Sequence, residues 1–245
     1  MSTARRRAAE FGNRRPREAG YAPAPMVHDV LGELRAGADD FLLLIISSPS
    51  GAGKTTLCNR LRQEFPALAF SVSHTTRPPR PNEVSGREYH FTDVERFRAL
   101  VTEGAFAEWA EVHGNLYGTT FAEIERARAA HASGILFDID FQGARQIRAK
   151  VPDAVAVFIL PPSLEELERR LRGRATDDEH VVQKRLAKAQ KEIENYALFD
   201  YLVVNDDLDR AYDRLRGVVL AESARRERKA RLAEGLLRHG KVSVG

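Results

Sequence analysis

The segment that most restricts the fold is residues 41–65, where an apolar run, FLLLIIS, passes into SPSGAGKTT and then into the helical pattern TLCNRLRQEF. A strand, a Gly-rich turn and a helix in that order aim successive backbone N–H groups and the positive helix end at one point, where phosphate oxygens can sit. Gly51 and Gly53 let the backbone close around an anion without Cβ clashes. Ser48, Pro49, Ser50, Gly51, Ala52, Gly53, Lys54, Thr55 and Thr56 therefore form a candidate phosphate cradle. Lys54 is expected to reach the β and γ phosphates of a nucleotide, and the Thr55 hydroxyl to ligate Mg²⁺. The usual pattern, G-x-x-x-x-G-K-[ST], has glycine where this chain has Ser48.

Four further apolar runs follow: LAFSVS (68–73), ILFDID (135–140), AVAVFIL (154–160) and YLVV (201–204). Continuous rather than alternating hydrophobicity is what strands buried on both faces require, and helical patterns follow most of the runs. The expected fold is α/β, a central and mostly parallel sheet covered by helices. Asp138 or Asp140, at the end of the third run, can hold Mg²⁺ through water beside the phosphate loop.

Two segments break the alternation. Residues 74–119 hold short polar and aromatic pieces around one helical stretch, the pattern of a small mixed lobe inserted after the second strand. Residues 163–197 read as two charged helices with Gly173 at the joint, equally the look of a mobile lid and of an ordinary helical hairpin. Core segments are then 41–73, 120–162 and 198–224. The stretch 208–237 is helical in pattern and ends in the basic run RRERKARL.

Charge separates the ends from the body. The 245-residue chain carries a net +3, with +4 in residues 1–20 and +5 in residues 225–245, which leaves −6 for residues 21–224. A net acidic body is a poor match to a nucleic-acid backbone, so no nucleic-acid partner is expected for the core. An anionic surface would be met by the basic ends instead. Residues 1–40, rich in Arg, Ala, Gly and Pro, read as a disordered basic leader, and Glu10 and Glu18 argue against a transit peptide. A single cysteine, Cys58, and the absence of any apolar run near ~20 residues fit a cytoplasmic protein with no membrane partner. Self-association is compatible with this reading.

The inserted lobe contains SVSHTTRPPRPNEVSGREYHF (71–91) and AFAEWAEVHGNLYGTT (105–120). Arg77 and Arg80 stand among Pro78, Pro79 and Pro81, so two guanidinium forks are stiffened at the backbone and suit a dianionic phosphate. Here the chain resembles the guanylate kinases, P-loop enzymes of purine nucleotide metabolism that transfer a phosphoryl group from ATP to GMP. The resemblance runs from about residue 41 to the helix after Asn205. It is carried by PSGAGKTT, SHTTRPPRPNEVSGREYHF, EWAEVHGNLYGT, ILFDIDFQGA, LRGRATDDEHVVQKRL and VVNDDLD, in family order and spacing.

The resemblance implies that Ser73, Glu108 and Thr119 contact the guanine base, and that Arg77, Arg80, Tyr89 and Tyr117 hold the GMP phosphate, with Asp138 also beside GMP. Guanine presents adjacent N1–H and N2–H₂ donors that one carboxylate can accept, whereas adenine would leave Glu108 unpaired. Buried polar pairing of this kind rejects the wrong partner by ~10⁴-fold or more. Trp109 and its apolar neighbours are expected to bury the strand that carries Glu108. The resemblance also places Arg170, Arg174 and Arg185 around the transferring phosphoryl, beside Lys54 and Arg77, and Asn205 near the adenine of ATP. The family's GRGT is GRAT here, with Ala175 for glycine.

No general base is required, because a GMP phosphate oxygen is already ionised near neutral pH, so catalysis reduces to alignment and charge neutralisation. His74 and His113 then stand near the acceptor site as bystanders. Two other readings compete: a non-catalytic guanylate-kinase-like module that binds a protein through the acceptor lobe, and a P-loop kinase for another nucleoside monophosphate.

Overall fold

The computed structural model describes residues 40–112, 114–173 and 179–242; His113, Arg174, Ala175 and residues 1–39, on which the expectation of a basic leader falls, lie outside them. Its first sheet has five strands, β1 (Leu42–Ser47), β2 (Leu68–Phe70), β7 (Gly134–Asp138), β8 (Val155–Leu160) and β9 (Tyr201–Val204), in the order β2-β7-β1-β8-β9. Every pairing in it is parallel. All five apolar runs thus became strands.

The double burial that those runs require is visible residue by residue in β1. Leu43 and Ile45 pack with Phe121, Ile124, Ala144 and Ile147 from helices α3 (Phe121–Ala129) and α4 (Phe141–Lys150). Leu42, Leu44 and Ile46 pack on the other face with Leu57 and Leu61 of α1 (Lys54–Glu64) and with Ala211 and Leu215 of α7 (Leu208–Ser223). Each fully buried Leu or Ile contributes about 1.5–3 kcal/mol. Because α1 leaves β1 toward one face and α4 leaves β7 toward the other, the adjacent C-terminal strand ends open a crevice, the usual ligand position in such sheets.

The inserted lobe is a four-stranded mixed sheet, β4-β3-β6-β5, made of β3 (His74–Thr75), β4 (His90–Phe91), β5 (Phe106–Val112) and β6 (Asn115–Thr120). Helix α2 (Val94–Thr102), capped by the Asp93 side chain on Arg96 N, covers it through Phe97 and Leu100 against Phe106. The lobe is tied to the core at Glu123 of α3. Its carboxylate accepts from Val72 N at 2.9 Å and lies 3.3 Å from His90 Nε2. Burial opposes its ionisation, but the bonds from His90, Arg126 and Val72 prevail and hold its pKa at about 2.

Helices α5 (Leu164–Arg172) and α6 (Glu179–Ile193) share a small apolar core of Leu167, Leu171, Val182 and Ala189. Gly173 caps α5 in the right-handed region, at φ −68°, so the joint does not call on glycine's freedom there. The 208–237 stretch is two helices rather than one. The chain leaves α7 at Ala224 and starts α8 (Arg226–His239), whose Arg228 donates to the carbonyls of Phe41 at 3.0 Å and Asp153 at 3.2 Å. Part of the basic tail is therefore docked at the entry to β1.

Candidate functional site

A cleft of about 400 Å³ opens at the C-terminal ends of β1 and β7, between the loop 48–53, the inserted lobe and α6. The loop follows β1 directly, and its turn is closed by Ala52 N donating to Pro49 O at 3.2 Å. Gly51 and Gly53 have φ of +93° and +95°, a conformation that other L-residues rarely adopt. Ser48, the departure from the usual pattern, is not among the described residues with positive φ, so it closes the turn without backbone strain. Gly53 stands at the N-cap of α1 without a side-chain cap, which leaves the first N–H groups of the helix for an anion.

Behind this loop is a brace. Asn205, buried at 6 % exposure, donates from Nδ2 to Ala52 O at 2.7 Å, and a Cβ at Gly53 would stand 2.2 Å from that same nitrogen. Arg170 donates to Asn205 O at 3.1 Å while its Nε is held by Glu166 at 2.7 Å. Both residues thus support the loop from beneath and do not line the cleft. Arg185 reaches the loop from α6, with Nη2 3.2 Å from Ser50 Oγ.

Lys54 and Asp138 face each other across the crevice and form an ion pair. Burial lowers the Lys54 pKa, while the charges of Asp140 and Glu192 act to raise it. Thr55 borders the same space from the first turn of α1, with Asp140 opposite. Asp140, however, is largely committed as the N-cap of α4, accepting from Gln142 N at 2.9 Å and Gly143 N at 3.0 Å. Thr55 and Asp138 are the pair whose oxygens fit Mg²⁺ directly, while both backbone donors on Asp140 fall on Oδ1 and leave Oδ2 for a contact through water. No group of three or more His, Cys, Asp or Glu among the described residues is arranged to hold a metal. Few protein ligands suit an ion that keeps waters and takes substrate phosphates.

The lobe brings Tyr89, Glu108 and Tyr117 to the opposite wall, where Ser73, the residue before β3, joins them. Glu108 is 4 % exposed, and burial pushes its carboxyl up to about 7. The charge of Asp140 acts in the same direction, whereas hydrogen bonds from Thr119 and the charge of Lys150 act against it. Thr119 lies fully buried behind this wall, with its Oγ1 2.9 Å from Ser73 Oγ. The burial of β5 comes from Phe106, Ala107 and Ala110; Trp109, expected to contribute, is 39 % exposed because strand alternation turns it away from Glu108.

Arg77 is half-buried at the lobe's tip. Its Nη2 sits 2.9 Å from both oxygens of Glu83, and its guanidinium lies 5.4 Å from the Tyr89 ring centre. Arg80 is exposed on the same turn, where its backbone N–H donates to Glu83 at 2.7 Å. Neither side chain lines the cleft itself. His74 also stands apart from it, packed 4.7 Å from His90, with burial pushing its pKa down to about 4.

Two residues of α6 that sequence reasoning passed over do line the cleft: Lys188 and Glu192. Glu192 Oε2 lies 3.4 Å from Ser50 N, and burial raises its pKa. On a helix as charged as α6, nothing in the pattern separates an inward-facing Lys or Glu from a solvated one.

Comparison with known proteins places these features in one family. The family profile described as guanylate kinase matches residues 42–222. The guanylate kinase of Nitratidesulfovibrio vulgaris is 50 % identical over 211 residues, covering 84 % of this chain and 98 % of that protein. That of Myxococcus xanthus is 53 % identical over 188 residues, covering 76 % and 90 %. The crystal structure of guanylate kinase from Anaplasma phagocytophilum superposes with a TM-score of 0.65 at 32 % identity, covering 83 % of this chain and 97 % of that one.

Proposed function

The chain belongs to the guanylate kinase family, and from that premise we propose that its cleft moves the γ-phosphoryl group of ATP onto the phosphate of GMP or dGMP, giving ADP and GDP or dGDP. The observation that carries this is the joining, in one cleft, of an intact phosphate cradle with Glu108, a buried carboxylate facing the space opposite it. No helix among the described residues is long and apolar enough to cross a membrane. The lone Cys58 supports a cytoplasmic setting.

In this reading the loop amides of residues 50–55 and the N-terminus of α1 hold the ATP phosphates, with Lys54 released from Asp138 to follow the transferring group. Thr55 and Asp138 would hold Mg²⁺, which when bound neutralises charge on the β and γ phosphates. Ser73 and Glu108, backed by Thr119, read guanine through its adjacent N1–H and N2–H₂ donors. Arg77, Arg80, Tyr89 and Tyr117 take the GMP phosphate. Arg185, already at Ser50, would stabilise charge on the transferring group, and the same reading assigns Arg174 alongside it. Arg170 and Asn205 act from beneath, keeping the loop in register. Water is kept out by closure of α5 and α6 over the cleft, since an open site would let hydrolysis compete.

The test is ADP formation from ATP and Mg²⁺ with GMP, dGMP, AMP, CMP and UMP at equal concentrations. Turnover confined to GMP and dGMP is expected. Equal use of AMP would remove the guanine reading while leaving the kinase, and no turnover with any acceptor would remove both.

A further inference from the structure

One face of α4 lies against the edge strand β5, and three residues on that face, Gly143, Gln146 and Lys150, meet the strand around Glu108. Their spacing of three and four residues sets them along one side of the helix. An edge strand presents backbone N–H and C=O groups with no neighbouring strand to pair them. Gln146 takes that place: its Oε1 accepts from Trp109 N at 3.2 Å and its Nε2 donates to Trp109 O at 2.7 Å. Lys150 Nζ, one turn on, donates to the carbonyls of Phe106 at 2.9 Å and Ala107 at 2.7 Å. The register of β5 on β6 shifts between Phe106 and Glu108, and such an irregularity re-aims the side chain beside it. Lys150 therefore pins the two carbonyls at the very place where the strand turns Glu108.

Gly143 supplies the space. A Cβ built there would stand 2.6 Å from Glu108 Oε2 and 3.2 Å from its Cδ. Its backbone is helical, with no positive φ, so conformation does not demand glycine at a position where glycine is otherwise unfavourable. The carboxylate occupies the volume that any side chain at 143 would fill.

We propose that Gly143, Gln146 and Lys150 are positioning residues for Glu108, and that this face of α4 sets the preference for guanine over a purine lacking the exocyclic amine. The proposal rests on the reading of Glu108 as the guanine acceptor. Hypoxanthine offers N1–H alone, so IMP differs from GMP by the second of the two donors that Glu108 accepts. A carboxylate in register with both donors favours GMP, and a displaced one loses the difference.

The test is kcat and KM for GMP and for IMP, with KM for ATP, in the wild type, Gly143→Ala, Lys150→Met, Lys150→Arg and Glu108→Gln. Gly143→Ala is expected to cut the GMP-to-IMP preference about tenfold, chiefly through KM for GMP, with KM for ATP within about twofold. Lys150→Met is expected to cut it about threefold, and Lys150→Arg, which keeps a donor for the two carbonyls, to restore it. Added to Glu108→Gln, the Gly143→Ala change should have less than about a twofold further effect, since both act through one contact. A preference that collapses in Glu108→Gln yet stays at wild type in Gly143→Ala and Lys150→Met overturns the positioning role and leaves the guanine reading standing. A preference untouched by Glu108→Gln overturns the guanine reading and this inference with it. Equal losses for GMP and IMP in both α4 variants reduce the face to ordinary packing and also overturn the proposal. If Gly143→Ala does not fold, Lys150→Met and its arginine rescue decide alone.

Discussion

The two ends of the cleft are built from different materials. At the loop end the working groups are backbone amides, placed by glycines at 51 and 53 and by a helix that starts at the next residue. At the lobe end the base is met by a side chain, the buried carboxylate of Glu108, placed by a strand, a shift in its register and a helix brought together from distant parts of the chain. A backbone cradle tolerates a changed side chain as long as the turn still closes, as Ser48 shows. The carboxylate has no such tolerance, because burial has already raised its pKa to about 7 and any partner lost leaves it costlier to ionise.

The sharpest way to break this contrast is at Lys54, the side-chain charge that the backbone-built end adds to its amides. Lys54→Met is expected to lower kcat about 10³-fold, the scale of removing a preorganised cation from developing phosphoryl charge. GMP affinity should stay close to wild type. Rapid-quench turnover and equilibrium titration with GMP check the two halves. A Lys54→Met protein that turned over near the wild-type rate would mean that the amides and metal suffice.

Second in size is Glu108→Gln, which exchanges the acceptor for a mixed donor and acceptor without changing shape. The expected fall in kcat/KM for GMP is about 10²-fold, from a buried amide N–H left facing a guanine donor, with KM for ATP nearly constant. Parallel losses for GMP and ATP would show that the lobe end is not separable from the loop end.

The same contrast explains what the sequence made legible. Double-sided burial leaves an unbroken apolar run, so each core strand announces itself within four to seven residues, and the phosphate loop is complete within ten. Among the acceptor residues, the proline-flanked Arg77 and Arg80 are legible locally, whereas the base-reading role of Glu108 comes only from the resemblance, because the apolar neighbours in EWAEVHG mark a buried strand and not which ligand it faces. What joins that strand to α4 lay out of reach of any local pattern. Gln146 binds Trp109 through main-chain atoms 37 positions away, and backbone atoms leave no mark on residue identity. Trp109 misled because its size suggested burial, whereas alternation along β5 gives the inward place to Glu108. The resemblance sets Asn205 near adenine and Arg170 near the transferring phosphoryl, and in the folded chain their hydrogen bonds run to the loop's own backbone and to each other.

The smallest expected effect is a pH dependence that Glu108 gives to base binding at the lobe end. Guanine N1–H and N2–H₂ need an ionised acceptor, and in the free protein Glu108 is half protonated near pH 7. Binding guanine favours the carboxylate and lowers its pKa in the complex. Affinity for the base should therefore be full above pH 8 and fall as pH drops through 7, by up to about tenfold per unit. Because the phosphate of GMP itself titrates near pH 6, guanosine, which carries none, isolates the Glu108 contribution. Calorimetric titration with guanosine between pH 5.5 and 8.5 should show affinity rising with pH and a proton released on binding near pH 7. Glu108→Gln, whose side chain does not titrate, should bind weakly and with a flat profile. A wild-type profile as flat as the variant's would mean that Glu108 is ionised before guanine arrives, and would place the cost of that buried charge on the fold rather than on the binding step.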